Sequence, residues 1–243
     1  MPSLFKRAIR KILTPHLWDY SSAELQCSRA SFSQFGEDIL CGFFFRREYK
    51  GYYVDVGAFH PMLLSNTYDF YRKGWRGIAI DANPDVAALF KRFRPDDVYI
   101  HSAIGEKEGQ IDMALFAEGA FNCSADQMAN VPEDVRSTAR IVQVPLKTLA
   151  SIMASQNVRE IDFLNIDCEG NDLKVLRSND WTRWQPKVIC VEDHSDNWSQ
   201  SETANYLKSV GYSLKYRAVF SSIFIPEHIA RDHSASRGLQ AIV

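Results

Sequence analysis

Five acids and one histidine stand where apolar runs of the sequence end: Asp55, Asp81, Asp167, and the tripeptide Glu192-Asp193-His194. Glu169 follows Asp167 two residues later, and Gly57 follows Asp55. The runs before them are rich in β-branched and aromatic residues, the types that suit buried strands. One acid at a strand end is commonplace and mostly a cap. Four strand ends with acids point to a shared site, because open α/β sheets bind ligands at the carboxyl ends of their strands. Carboxylates there can accept hydrogen bonds from a diol or face a cation, and a histidine can take a proton near neutral pH.

The stretch Gly51-Tyr-Tyr-Val-Asp-Val-Gly-Ala-Phe-His60 anchors this arrangement. It is apolar on both faces apart from Asp55, as an interior parallel strand is. Ser33 is a candidate N-cap for a helix running to about Arg47, before the strand at 51–56. A helix over Ser65–Lys73, a strand over Arg76–Asp81, a helix from Pro84 and a strand over Val98–Ile104 follow. The alternation fits βαβ units with right-handed crossovers. Between Gly109 and Lys147 the rhythm lapses. Gln110–Phe116 and Ile141–Pro145 alternate weakly as a pair of short strands, and the polar stretch Ala117–Arg140 is a candidate acceptor lid. A helix over 149–155, a strand over 161–167, a helix over 171–177, a strand over 187–192 and a helix over 201–209 restore the rhythm. Tyr212–Arg217 and Val219–Ile225 close the chain as an antiparallel pair.

At 243 residues and 46% hydrophobic, the chain can bury one sizeable α/β core. A net charge of −2 gives no case for nucleic acid as a partner. Five scattered cysteines without a Cys-x-x-Cys pair suit a reducing compartment and argue against a zinc site or disulfide framework. No apolar run reaches the roughly 18 residues of a membrane span, and basic residues interrupt the amino terminus as they would not in a secretory signal. A cytoplasmic location is the expectation. Residues 1–32 form a separate portion in which 3–14 set Leu4, Phe5, Ala8, Ile9, Ile12 and Leu13 on one helical face and Lys6, Arg7, Arg10 and Lys11 on the other. Such a helix either docks on the domain at 33–243 or lies peripherally on the inner, anionic membrane face.

Asp81 stands 26 residues after Asp55, at the end of the neighbouring strand, where doubly wound folds place the carboxylate that holds a ribose diol. The loop Gly57-Ala-Phe-His-Pro61 lacks the G-x-G-x-x-G that cradles a pyrophosphate. A nucleoside without phosphates fits better, and S-adenosylmethionine (SAM) also brings a sulfonium that suits an acidic corner. An NAD-dependent oxidoreductase is disfavoured by the missing glycines.

These residues resemble the FkbM-type SAM-dependent methyltransferases. The resemblance runs from about Ser33 to Ile225 and rests on Ser33-Gln-Phe-Gly-Glu-Asp38, Val54-Asp-Val-Gly-Ala58, Asp81-Ala-Asn-Pro84, Ile161-Asp-Phe-Leu-Asn-Ile-Asp-Cys-Glu-Gly170 and Val191-Glu-Asp-His194. It implies a Rossmann-like class I fold, with a mostly parallel seven-stranded sheet, an antiparallel last strand and helices on both faces. It also implies O-methylation of a hydroxyl on a sugar, glycan or related metabolite. Two positions depart from the family: the glycine loop continues as Phe59-His60-Pro61 rather than with Asn and Gly, and Asp81 stands where Glu is more usual. Carried over by position, Asp55 and Gly57 line the methionine side, and Asp167 is also a cofactor-binding residue. Asp81 and Ala82 meet the ribose, Ser102 and Ala103 flank the adenine, and Gln34 and Glu37 either close over the cofactor or cap the helix.

His194, Asp167 and Glu169 remain for the acceptor. An alcohol attacks in line only if a base takes its proton as the bond forms, and an imidazole suits that role. A histidine standing structurally behind the site is the competing explanation. Asp167, Glu192 or Asp193, and His194 could alternatively hold a divalent cation, magnesium or manganese. A catalytically silent SAM-binding module of a glycan-assembly complex is the alternative outside enzymes.

Overall fold

The run around Asp55 becomes an interior strand of a seven-stranded sheet in the computed structural model, which describes residues 29–116 and 122–230. The elements in chain order are α1 (Glu37–Gly42), β1 (Tyr52–Val56), α2 (Tyr68–Arg72), β2 (Arg76–Asp81), α3 (Ala87–Phe93), β3 (Val98–His101) and β4 (Ala103–Ile104). Then come β5 (Gly109–Leu115), β6 (Cys123–Ser124), α4 (Glu133–Arg136), β7 (Arg140–Lys147), α5 (Leu149–Ser155) and β8 (Phe163–Ile166). Next come α6 (Asp172–Arg177), β9 (Val188–Glu192), α7 (Glu202–Ser209), β10 (Tyr212–Ala218) and β11 (Ser221–Pro226). The chain divides into units Met1–Ser31 and Phe32–Val243, and all these elements belong to the second. The expected helix at 3–14 lies outside the described residues, as do 117–121 of the expected lid.

The large sheet runs β10-β11-β9-β8-β1-β2-β3, with β9, β8, β1, β2 and β3 parallel and β11 antiparallel to both of its neighbours. Because side chains alternate along a strand, the sheet buries two apolar faces. Val54, Ile78, Leu164 and Ile189 pack with Leu149, Met153, Val175 and Leu207 from α5, α6 and α7. Tyr53, Phe163, Val188 and Ile223 face the other way, toward Cys41, Phe44, Phe45, Phe70 and Trp75. Fully burying one such side chain is worth about 1.5–3 kcal/mol relative to leaving it in water.

The first helix is shorter than the sequence suggests. Its N-cap is Gly36, at φ 87°, and not Ser33. Ser33 Oγ instead accepts the Gly36 N–H at 3.1 Å and donates to Asp38 Oδ1 at 2.9 Å, so Ser33–Gly36 wraps as a turn ahead of the helix. The helix stops at Gly42 rather than near Arg47, where Phe44 and Phe45 turn into the core and Phe45 meets Trp75 edge-on at 4.7 Å. Likewise α2 starts three residues late, because Ser65 Oγ is used to accept the Tyr68 N–H.

The expected third strand divides. After β3 the chain bends at Ser102, and β4 leaves for a second sheet ordered β4-β7-β5-β6. There β5 and β7 pair antiparallel from Gly109↔Leu146 to Leu115↔Arg140, a longer ladder than the weak alternation suggests. The stretch expected to be irregular carries β6, a 3₁₀ turn over Ala125–Asn130 and α4. Among the described residues, no helix is long and apolar enough to cross a membrane.

Candidate active site

Parallel register explains why the sequence-predicted acids converge. Val56 pairs with Ile80 on one side and Ile166 on the other, and Ile166 pairs with Val191. The next residue of each strand is Gly57, Asp81, Asp167 and Glu192, so these four form one row along the carboxyl edge of the sheet. All four line a cavity of about 650 Å³, within the range of small-molecule sites. The second sheet closes it from the side with Ile111, Met113 and Leu146.

At the β1 corner, Asp55 is 2% exposed and fully engaged. It accepts from Asn165 Nδ2 at 2.9 Å and from the Thr67 hydroxyl, and Asn165 Oδ1 in turn accepts from Asn66 at 2.8 Å. Behind them Arg94 is buried, donating to Asp97 at 2.7 Å and to Thr67 Oγ1 at 3.0 Å, with its Nη1 4.0 Å from Asp55. Asp97 also takes the Tyr53 hydroxyl at 2.6 Å and the Gly77 N–H at 3.0 Å. Sequence reasoning missed this network; Phe93-Arg94-Pro95 looks like an ordinary helix end, and only burial reveals the ion pair.

Gly57 is glycine for a different reason than close approach to a ligand. It sits at φ 78°, and a Cβ there would lie 1.7 Å from the Asp167 carbonyl oxygen. The β1 and β8 loops therefore pack directly on each other. At the next corner, Asp81 accepts the Phe59 and Asn83 N–H groups at 2.7 Å each, one on each carboxylate oxygen. Burial raises its pKa, and the two N–H groups offset part of that rise. Ala82, Ser102 and Ala103 line the cavity beside it, though the Ser102 hydroxyl is already within reach of the Ala103 and Pro145 carbonyls.

The remaining acids crowd the other end. Asp172 accepts the Cys168 and Gly170 N–H groups and so holds the loop that presents Asp167 and Glu169, with Glu169 itself at φ 49°. Burial raises the Asp167 carboxyl well above its usual range, and repulsion from Glu192, Asp172 and Glu169 adds to that. Glu192 is pushed up to about 8, first by burial and then by Asp172 and Glu169. Glu169 stands at the open mouth with its carboxyl against this cluster, and lost hydration followed by Asp172 pushes it to about 7. Glu192 Oε1 lies 3.1 Å from His194 Nε2, its Oε2 is buried, and a hydrogen bond with the Asp167 carboxyl offsets part of its rise.

Two expected positions turn out differently. Gln34 lines the cavity, but Glu37 does not. Glu37 is 2% exposed, accepting the Phe35 N–H at 2.8 Å and the Ser221 hydroxyl at 3.2 Å. Asp193 is likewise outside the lining, because its side chain turns back to accept from Ser195 N–H and the Ser201 hydroxyl. The ligating atoms that do gather within 4.8 Å of one another belong to Glu169, Glu192 and His194.

Six carboxylates, Asp55, Asp81, Glu106, Asp167, Glu169 and Glu192, line the cavity against Lys107 and Lys174. A cation placed there would favour the charged form of the raised carboxyls, and a carboxylate fixed by two N–H groups at the β2 end suits a ribose diol. The residues present fit SAM.

A family model described as "Methyltransferase FkbM domain" matches residues 55–214. The chain belongs to the FkbM methyltransferase family. Among solved structures it is similar to methyltransferase FkbM from Methylobacillus flagellatus, with 13% identity over 72% of this chain and a TM-score of 0.48. The FkbM chain described here spans 43% of that protein's length. It is also similar to a TehB-like SAM-dependent methyltransferase from Corynebacterium glutamicum, with 10% identity, 84% of this chain and 93% of that one covered, and a TM-score of 0.42. A third likeness is to the 1,6-didemethyltoxoflavin-N1-methyltransferase of Burkholderia thailandensis, solved with S-adenosylhomocysteine, at 11% identity, 91% and 87% coverage and a TM-score of 0.39. No curated protein matches the sequence.

Proposed function

We propose that this FkbM domain O-methylates a hydroxyl of a carbohydrate, glycan or related metabolite. The observation that carries this reading is the Glu192–His194 couple, set in the same strand-end row as Asp81 and Asp167 and facing the same cavity. Asp81, Ala82, Ser102 and Ala103 would hold the nucleoside end of SAM, and Gln34, Gly57 and Asp167 the methionine end. Asp55 contributes by fixing Asn165 and Thr67 beneath them. When bound, SAM supplies an electrophilic methyl group. The acceptor hydroxyl donates to the Glu192 carboxylate, whose raised pKa makes it a stronger base than an ordinary carboxylate. His194 holds Oε1 and orients the carboxylate.

Tritium transfer from methyl-labelled SAM to a panel of glycosides and hydroxylated metabolites, with NMR identification of the product, tests this. A methyl ether is expected. Methylation at nitrogen or carbon, or S-adenosylhomocysteine binding without turnover on any acceptor, would overturn it; the latter is the behaviour of a silent module. Titration with NAD separates the oxidoreductase alternative. Chelation addresses the cation: turnover that survives EDTA leaves Glu192 and His194 as the base couple. Loss that magnesium or manganese restores would make Glu169, Glu192 and His194 ligands instead.

A further inference from the structure

The Ser33–Asp38 motif has a side chain that the cofactor and base do not use. Phe35 is 40% exposed, stands just outside the cavity lining next to Gln34, and meets Phe220 edge-on at 5.6 Å. Phe220 is 41% exposed, lines the cavity, and lies 4.9 Å from the His194 ring. The two phenylalanines come from segments 185 residues apart, and one buried carboxylate joins those segments. Glu37 accepts the Phe35 N–H with Oε2 and the hydroxyl of Ser221, the residue after Phe220, with Oε1. The Asp193 N–H bonds the Phe220 carbonyl at 2.8 Å, tying the hairpin to the strand that carries Glu192. Val219 turns the hairpin at φ 49°, a conformation costly for a β-branched residue, immediately before Phe220.

We propose that Phe35 and Phe220, braced by Glu37, form an aromatic platform for the acceptor and select a pyranose ring, deepening the carbohydrate reading on which this rests. A pyranose offers a face of C–H bonds polarised by neighbouring oxygens, which suits the negative face of an aromatic ring. Its edge offers several hydroxyls, and Gln34, Glu169 and Glu192 stand beside the platform to meet them. A flat aromatic acceptor would use the rings and leave those polar groups unpaired, at a cost. An acyclic polyol would use the polar groups and leave the rings bare. Glu37 is thus a positioning residue, which explains why it is buried away from the cavity.

Saturation-transfer NMR on the full chain with S-adenosylhomocysteine tests this, using methyl glycopyranosides of glucose, mannose, galactose and rhamnose, with mannitol and catechol as comparisons. At least one glycoside should receive saturation at its ring C–H protons, and mannitol should not. Phe220→Ala and Phe35→Ala should each weaken that binding about tenfold, while Phe220→Tyr retains it and S-adenosylhomocysteine affinity stays within about twofold. Glu37→Ala should weaken glycoside binding without changing cofactor affinity, and Glu37→Gln should recover part of it. Glycoside binding indifferent to both phenylalanines overturns the platform, and so does mannitol or catechol binding better than every glycoside. Glycosides that bind through the platform but are not methylated leave it standing and overturn the transferase reading. Glycosides methylated equally by the phenylalanine variants do the reverse, and a panel in which none binds overturns the platform.

Discussion

His194 Nε2 lies 3.1 Å from Glu192 Oε1, with the histidine side chain 54% exposed and the glutamate side chain 10% exposed. The contact divides the labour between them. The exposed partner stays hydrated and can adjust to an incoming acceptor. The buried one stands beside the Asp167 carboxyl with little water around it, which raises its affinity for a proton. In the proposed function, a histidine read from sequence as the base instead holds a glutamate in place.

Glu192→Gln removes the proton acceptor but keeps the shape. Turnover should fall roughly 10²- to 10⁴-fold while S-adenosylhomocysteine affinity stays nearly constant. His194→Ala should be milder, because the Glu192 carboxylate survives. In the parent, the rate should rise with pH through about 8, since only ionised Glu192 can take the proton. A rate flat from pH 6.5 to 9, or His194→Ala being the more damaging change, would return the role to the histidine.

The same crowding sets how stability depends on pH. Asp167, Glu169, Asp172 and Glu192 all have pKa values raised by burial and by repulsion from neighbouring carboxylates, Asp193 in the case of Asp172. A carboxyl whose folded pKa exceeds its unfolded value binds protons preferentially in the folded state, so stability falls as pH rises through the folded value. Without ligand, the melting temperature should therefore rise as pH is lowered from about 8.5 toward 6. Glu192→Gln should flatten that dependence. A parent that melts at the same temperature across this range would contradict the assigned crowding.

Strand periodicity and acid positions were enough to reach the large sheet and the row Asp81–Asp167–Glu192, because parallel register turns strand ends into neighbours. The second sheet was legible only as weak alternation, since β5 is exposed along much of its length and lacks a clean apolar stripe. Whether Glu37 closes over a cofactor or caps the helix was not legible, because its motif fixes that an acid is needed and not which way it points. Its partner Ser221 is 184 residues away, and no local pattern connects them. Arg94 was invisible for the opposite reason: nothing in its neighbourhood distinguishes a buried arginine from a solvated one.

Arg94 is a clear case for the cost of unpairing a buried charge. Its replacement by methionine leaves Asp97 buried with only the Tyr53 hydroxyl and the Gly77 N–H, and frees Thr67 from below. Arg94→Met should cost roughly 3–5 kcal/mol in denaturant unfolding. The double variant with Asp97→Asn should recover part of that loss, because the orphaned charge is gone. If the double variant is no more stable than Arg94→Met, the pair is not the source of the penalty.

Asp81 tests the nucleoside corner. Its two oxygens already accept the Phe59 and Asn83 N–H groups, which fixes the carboxylate and leaves lone pairs toward the cavity. Hydrogen bonds to a charged group are worth about 1.5–3 kcal/mol, so Asp81→Ala should weaken SAM binding on the order of 10- to 150-fold. Asp81→Asn keeps one carbonyl oxygen to accept and must present its amide to an N–H on the other side, so it should retain only part of the affinity. Because either change also loosens the loops at Phe59 and Asn83, calorimetric titration should be paired with melting curves without ligand. Weakened binding in a variant that melts near the parental temperature assigns the loss to the ribose contact. SAM bound as tightly by Asp81→Ala as by the parent would place the nucleoside elsewhere.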